Sequence, residues 1–194
     1  MGKRSDFKRV EKDYYQTPKA PVVPLVPFLP KHPFTFVEPC AGDGRLIDHI
    51  EELAPNGECI FASDIEPDRK GITQLNALNL SLLHIGERPD VIITNPPWSR
   101  DKKSGYLLHC MIKHFVSIAP TWLLFDADWM HTKQAHPYMD AFCSKIVSVG
   151  RVKWIEDSTM SGKDNCAWYH FDADARQHTP VPLVYGRDIF PPTK

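Results

Sequence analysis

The stretch Asp90–Trp98 constrains this chain more than any other. Val91, Ile92 and Ile93 form a short β-branched run bounded on both sides by prolines, the pattern of a buried strand. Asn95-Pro96-Pro97-Trp98 follows at once. Consecutive prolines lack backbone N–H donors and hold φ fixed, so the strand must stop there in a stiff shape. The product is a rigid corner at the C-terminal end of a strand, carrying one amide and one indole. In open α/β sheets that is where ligands bind.

The rest of the chain supplies such a sheet. Residues 34–38 read as a strand ended by Pro39, and Cys40-Ala41-Gly42-Asp43-Gly44 turns tightly into a helix with Leu46, Ile47, Ile50 and Leu53 at helical spacing. Residues 58–63 form a second strand ending at Asp64. Pro67 is expected near the start of a second helix running through Leu75, and Leu80–Ile85 is expected as a third, short strand. Val91–Thr94 is the fourth. A basic loop, Ser99–Gly105, leads to a helix with Leu107, Leu108, Met111, Ile112, Phe115 and Val116 on one face. Trp122–Phe125 is the fifth strand, residues 131–143 a further helix, and Ile146–Ile155 with Cys166–Phe171 an antiparallel pair at one sheet edge. Strands alternating with helices predict a doubly wound, mostly parallel α/β sheet. One domain is expected: a mixed-charge arm over 1–13, a core over 14–172, and an extended, proline-containing tail over 173–194.

Composition narrows the class. The chain has 194 residues, 42% hydrophobic and 24% charged, as in ordinary globular proteins. A net charge of -1 means that any nucleic-acid contact must come from local patches. The five cysteines include no close pair, which argues against a disulfide framework or zinc site and for a reducing, cytoplasmic setting. No apolar run reaches the roughly 18 residues of a membrane span, so no membrane partner is expected. His131 and His136 lack a supporting ligand set, and no metal is expected.

The glycine turn carries its own chemistry. Glu38 and Asp43 flank it, and two carboxylates would repel a pyrophosphate. A cationic ligand suits the turn better, and Gly42 and Gly44 admit close backbone approach. Asp64 ends the next strand about twenty residues on, where an acidic side chain accepts hydrogen bonds from ribose hydroxyls. A ligand with ribose and a positive charge but no phosphate describes S-adenosylmethionine.

Phe36-Val-Glu-Pro-Cys-Ala-Gly-Asp-Gly44 resembles the first motif of class I methyltransferases, and Asn95-Pro-Pro-Trp98 resembles the catalytic motif of the N6-adenine (amino) DNA methyltransferases. Tyr15-Gln-Thr-Pro18 is similar to that family's segment at the methionine end of the cofactor. The resemblance covers residues 14–172 and suggests a small, phage-like type without a separate target-recognition domain. It implies a seven-stranded sheet with an antiparallel last strand. It further implies a cofactor site of Tyr15, Thr17, Pro18, Glu38, Pro39, Cys40, Ala41, Gly42, Gly44, Asp64, Ile65, Asn76, Ala77 and Asn95. Within it, Ile65 packs on the cofactor adenine and Asn76-Ala77 lies beside its edge. Asn76 stands where Asp is more usual, and capping of a helix end is an equal reading.

Asn95, Pro96, Pro97 and Trp98 are the candidate catalytic residues. The Asn95 amide oxygen and a carbonyl of the proline turn would accept the N–H groups of an adenine amine and aim its lone pair at the donor methyl, with no strong base required. Trp98 would stack on the base, which must be flipped out or single-stranded. Arg100, Lys102, Lys103 and Lys163 are the candidate phosphate contacts. Asp126 and Asp128 read as solvated or capping groups. The partner expected is DNA, with site choice helped by a second copy of the chain or an accessory specificity subunit. Methylation of adenine in RNA, of a glutamine amide in protein, or an inactive cofactor-binding subunit are the alternatives.

Overall fold

The computed structural model describes residues 15–98, 105–154, 162, 164–178 and 182–185. The 1–13 arm, the basic loop with Arg100, Lys102 and Lys103, and Lys163 lie outside the described residues.

Strands β1 (Phe34–Glu38), β2 (Gly57–Asp64), β3 (Thr73–Gln74), β4 (Val91–Thr94), β5 (Thr121–Asp126), β6 (Cys143–Arg151), β7 (Asn165–Phe171) and β8 (Leu183–Tyr185) form one sheet. Its order is β3-β2-β1-β4-β5-β7-β6-β8. Only β7 runs against the others: it is antiparallel to both β5 and β6, while β8 pairs parallel with β6. The chain leaves β1 toward β2 and later returns on its other side as β4. That reversal of direction opens a crevice at the C-terminal ends of the two central strands.

The sheet buries both faces because its strands alternate. Val91 and Ile93 join one core with Phe36, Trp122, Trp168 and the apolar side of helix α1 (Arg45–Leu53). Ile92 points the other way, into a core with Met111, Ile112 and Phe115 of helix α3 (Gly105–Val116), Phe125 and Tyr169. The proline-rich lead-in packs on the first face: Val22, Leu25 and Leu29 are buried, and the Trp168 indole donates to the Pro21 carbonyl at 2.7 Å.

Several expected elements are different. No helix spans 67–75. Residues 65–74 are mostly exposed and offer no apolar stripe to bury, Gly71 adopts φ +98°, and the segment ends in the two-residue β3. Residues 80–85 are not a strand. Helix α2 (Leu82–Ile85) forms instead between Ser81 and Gly86 (φ +93°), with Leu83 fully out in solvent, Leu80 buried in the core and Ile85 packed partly against it. The expected helix over 131–143 is a 3-10 turn at Ala127–His131 and a short helix α4 (His136–Ala141). The tail is not simply extended. Asp172 accepts from the N–H groups of Asp174 and Ala175 at 3.0 Å and caps helix α5 (Ala173–Gln177), and β8 adds an eighth strand. Among the described residues no helix is long and apolar enough to cross a membrane.

One buried pair makes stability depend on pH. His170 on β7 is 7% exposed, its Nδ1 lies 2.6 Å from Ser144 Oγ, and its ring packs on Trp122 at 4.6 Å. Burial, aided by Lys145 and opposed by Asp172, pushes its pKa down to about 3. The unfolded chain has a value near 6.5, so the stability this neutral ring supports is present above about pH 6.5 and is lost as pH falls toward 3. Urea unfolding of the wild type should weaken measurably between about pH 6.5 and 5, before most carboxylates titrate. His170→Gln should flatten that slope; an unchanged slope would show that other groups dominate it.

Candidate functional site at the strand ends

The glycine turn is built by hydrogen bonds from the neighbouring strand end. Pro39 stops β1; the Ala41 N–H then donates to the Ser63 carbonyl, and the Gly42 N–H to Asp64 Oδ2, both at 2.9 Å. Gly44 (φ +79°) opens α1, and this left-handed backbone favours glycine; a Cβ there would also meet Arg69 Nη1 at 2.7 Å, a contact that the half-exposed Arg69 side chain can relieve by moving. Asp43 turns back to the helix: its carboxylate accepts the Arg45 N–H at 3.0 Å and pairs with the Arg45 guanidinium at 3.3 Å.

Glu38 is different. It is 1% exposed, and its Oε2 has no hydrogen-bond partner among the described residues. Burial, then the nearby Asp64 and Asp43 charges, hold its carboxyl well above the ordinary carboxylate range. A buried polar oxygen without a partner is costly, and this one belongs to a residue on the wall of a cavity. Burial beside Asp64 and Glu38 likewise pushes the Cys40 thiol up, which removes thiolate chemistry there.

The cavity, about 460 Å³, occupies the crevice and has the volume of a cofactor pocket. Of the sequence-predicted residues, Tyr15, Thr17, Glu38, Pro39, Cys40, Ala41, Gly42, Asp64, Ile65, Asn76, Ala77, Asn95 and Pro97 line it. Pro18, Gly44, Pro96 and Trp98 do not. Gln16, Leu46, Glu66, Asp68, Leu107 and Met111 line it too and were not expected. Gln16 sits inside the Tyr-Gln-Thr-Pro segment and could have been read from it; the two α3 residues look in sequence like ordinary core. Ile65 is 56% exposed, leaving an apolar surface at the rim. Asn76 is a cap as well as a wall residue: its Oδ1 accepts the Leu78 N–H at 2.9 Å at the start of a 3-10 turn over Ala77–Asn79.

At the other end of the cavity stands the rigid corner. Asn95 Nδ2 donates to Thr17 Oγ1 at 3.2 Å and to the Tyr15 carbonyl at 3.4 Å, and Asn95 Oδ1 accepts the Trp98 indole N–H at 3.0 Å. The lead-in is therefore fastened to the corner directly. Trp98 meets Trp154 edge to face at 5.4 Å, and Trp154 lies 6.2 Å from Tyr15. Trp154, just past the end of β6, gives no local signal in sequence. Asp126 caps the turn after β5 by accepting the Asp128 N–H at 3.1 Å. Among the described residues no group of three or more His, Cys, Asp or Glu is placed to hold a metal ion.

No protein-family profile matches the chain, and no curated protein matches it. Solved structures do. An inferred RNA methyltransferase from Pyrococcus horikoshii has a TM-score of 0.60 at 12% identity, covering 88% of this chain and 92% of that one. The modification subunit of an inferred type I restriction enzyme from Vibrio vulnificus has 0.55 at 15%, covering 89% and 47%. TrmN from Thermus thermophilus has 0.57 at 13%, covering 79% and 48%. This chain thus spans less than half the length of the last two. The likeness is one of fold: the Rossmann-like sheet of the class I methyltransferases, with the order 3-2-1-4-5-7-6 and an antiparallel strand near one edge.

Proposed function

We propose that this protein transfers the methyl group of S-adenosylmethionine to the N6 amine of adenine in DNA, with residues 14–172 as the catalytic core. The observation that carries the proposal is the pairing, across one cavity, of an acidic glycine turn holding an unsatisfied Glu38 with the Asn95 corner. The cofactor, when bound, supplies an electrophilic methyl on a positively charged sulfur. Glu38 balances that positive ligand. Asp64, whose oxygens each already accept one backbone N–H, from Gly42 and Glu66, keeps further lone pairs for ribose hydroxyls. Ile65 and Ala77 flank the adenine of the cofactor; Tyr15, Thr17 and Pro18 border its methionine end.

Asn95 Oδ1 and a carbonyl of the Pro96-Pro97 turn accept the two N–H groups of the target amine. That holds its lone pair toward the methyl, so catalysis is by position. The proton leaves for water after transfer. Trp98, with Trp154 nearby, borders a place for a planar base, which must come out of the stack to reach it. Arg100, Lys102, Lys103 and Lys163 contact phosphates. An accessory specificity subunit or a second copy of the chain belongs to the proposal because the Vibrio vulnificus protein is itself a subunit. A second reading, adenine N6 in RNA, is favoured by the Pyrococcus horikoshii likeness.

Incubation with methyl-labelled S-adenosylmethionine and matched DNA, RNA and protein pools, followed by nucleoside and amino-acid analysis, tests this. Label as N6-methyladenine in DNA is expected. Label in RNA supports the second reading, and label only in protein overturns both. Asp64→Ala should weaken cofactor binding by roughly 10- to 100-fold, the loss of charge-assisted hydrogen bonds. Calorimetric titration checks it, and unchanged affinity would remove Asp64 from the site.

A further inference from the structure

The Trp98 indole N–H is shared between two acceptors at 3.0 Å, Asn95 Oδ1 and the Leu124 carbonyl near the end of β5. On the opposite side of the same amide, Asn95 Nδ2 reaches Thr17 Oγ1 and the Tyr15 carbonyl. Consider the amide with its oxygen and nitrogen exchanged. Its NH2 would face the indole N–H, donor against donor, and its oxygen would face the Tyr15 carbonyl, acceptor against acceptor. The Thr17 hydroxyl serves either orientation, so Trp98 and Tyr15 decide between them. Trp98 is itself held in place, by the Leu124 carbonyl and by its edge-to-face contact with Trp154 at 88°. The indole takes one lone pair of Asn95 Oδ1 and leaves the other for an incoming N–H.

We propose that Trp98 is a positioning residue whose indole N–H, distinct from its stacking face, locks the Asn95 amide with its oxygen presented as the acceptor for the reacting amine. This inference rests on the methyltransferase reading for its kinetic consequence, though not for its geometry. An aromatic ring without an N–H at this place keeps a stacking surface and loses the lock.

The test compares the wild type with Trp98→Phe and with a protein carrying 3-benzothienylalanine at position 98, which keeps the indole's shape without its N–H and guards against a folding defect. Both should lower kcat roughly three- to tenfold, the size of one lost hydrogen bond, since only the longer contact with the Tyr15 carbonyl then favours the productive amide orientation, while KM for the nucleic acid and Kd for S-adenosylmethionine stay within about threefold. In ¹⁵N-labelled protein the Asn95 side-chain amide should give one pair of signals with an Overhauser contact to Thr17. The variants should show a shifted or doubled pair in which that contact is weakened. The proposal is overturned if kcat stays within twofold, if KM alone rises, or if the Asn95 amide signals are unchanged. Should the wild type methylate no acceptor, the functional reading fails, while the amide spectra still decide the role of Trp98.

Discussion

Asn95→Ala is expected to lower methyl transfer by roughly 100- to 1000-fold, the usual cost of deleting one polar group aimed at a reacting centre, while cofactor affinity changes little. The asymmetry follows from where Asn95 stands. It closes one end of the cavity, at the end of β4, whereas the glycine turn and Asp64 form the other, at the ends of β1 and β2. The substitution also removes the Asn95 hydrogen bonds to the Thr17 hydroxyl and the Tyr15 carbonyl, and with them this tether between the lead-in and the corner. Single-turnover transfer measured beside calorimetric cofactor titration separates the two effects. Equal loss of both would make Asn95 a structural residue and remove the acceptor-presenting role from the account.

The second large effect is a trade between stability and binding at Glu38. A carboxyl buried without a donor, beside Asp64 and Asp43, has its folded pKa raised above the unfolded value. Its contribution is therefore present below about pH 4.5, the unfolded range, and is lost as pH rises through the folded value. As pH rises above the unfolded range, keeping this carboxyl buried costs the cofactor-free protein stability. Glu38→Gln should stabilise that state, on the order of 1–3 kcal/mol, and flatten this part of the pH dependence. The same change should weaken S-adenosylmethionine binding by at least about tenfold, since it removes the charge facing a cationic ligand. Urea unfolding at pH 5 and 8, with and without cofactor, checks both signs. A variant less stable without cofactor, or one that binds as tightly as the wild type, would contradict this view of Glu38.

The central part of the fold was legible because its signals are local. Val91–Thr94 had to be a strand and had to stop at Pro96, and Gly42 and Gly44 had to turn into α1. The carboxylates at 38 and 64 could be placed at strand ends by counting, which gave one wall of the cavity. The stretch 65–86 was not legible. It has few side chains to bury, so periodicity carries little information there, and Gly71 and Gly86 with the short β3 decide its path. Leu107 and Met111 reach the cavity from α3, and Trp154 meets Trp98 from just past β6; only the packing of the sheet reveals that. The hydrogen bond from Trp98 to Asn95 was hidden in the same way: the spacing is visible in the motif, but the direction of the indole is set by Leu124 on another strand.

The most direct test of the central claim is the nucleoside composition of DNA from a methylation-deficient host that expresses the wild-type chain or its Asn95→Ala variant. The account predicts N6-methyladenine in the first and none in the second, with both proteins folded and both binding S-adenosylmethionine. Unmodified DNA in both, with methyl groups appearing instead on protein glutamine, would contradict it.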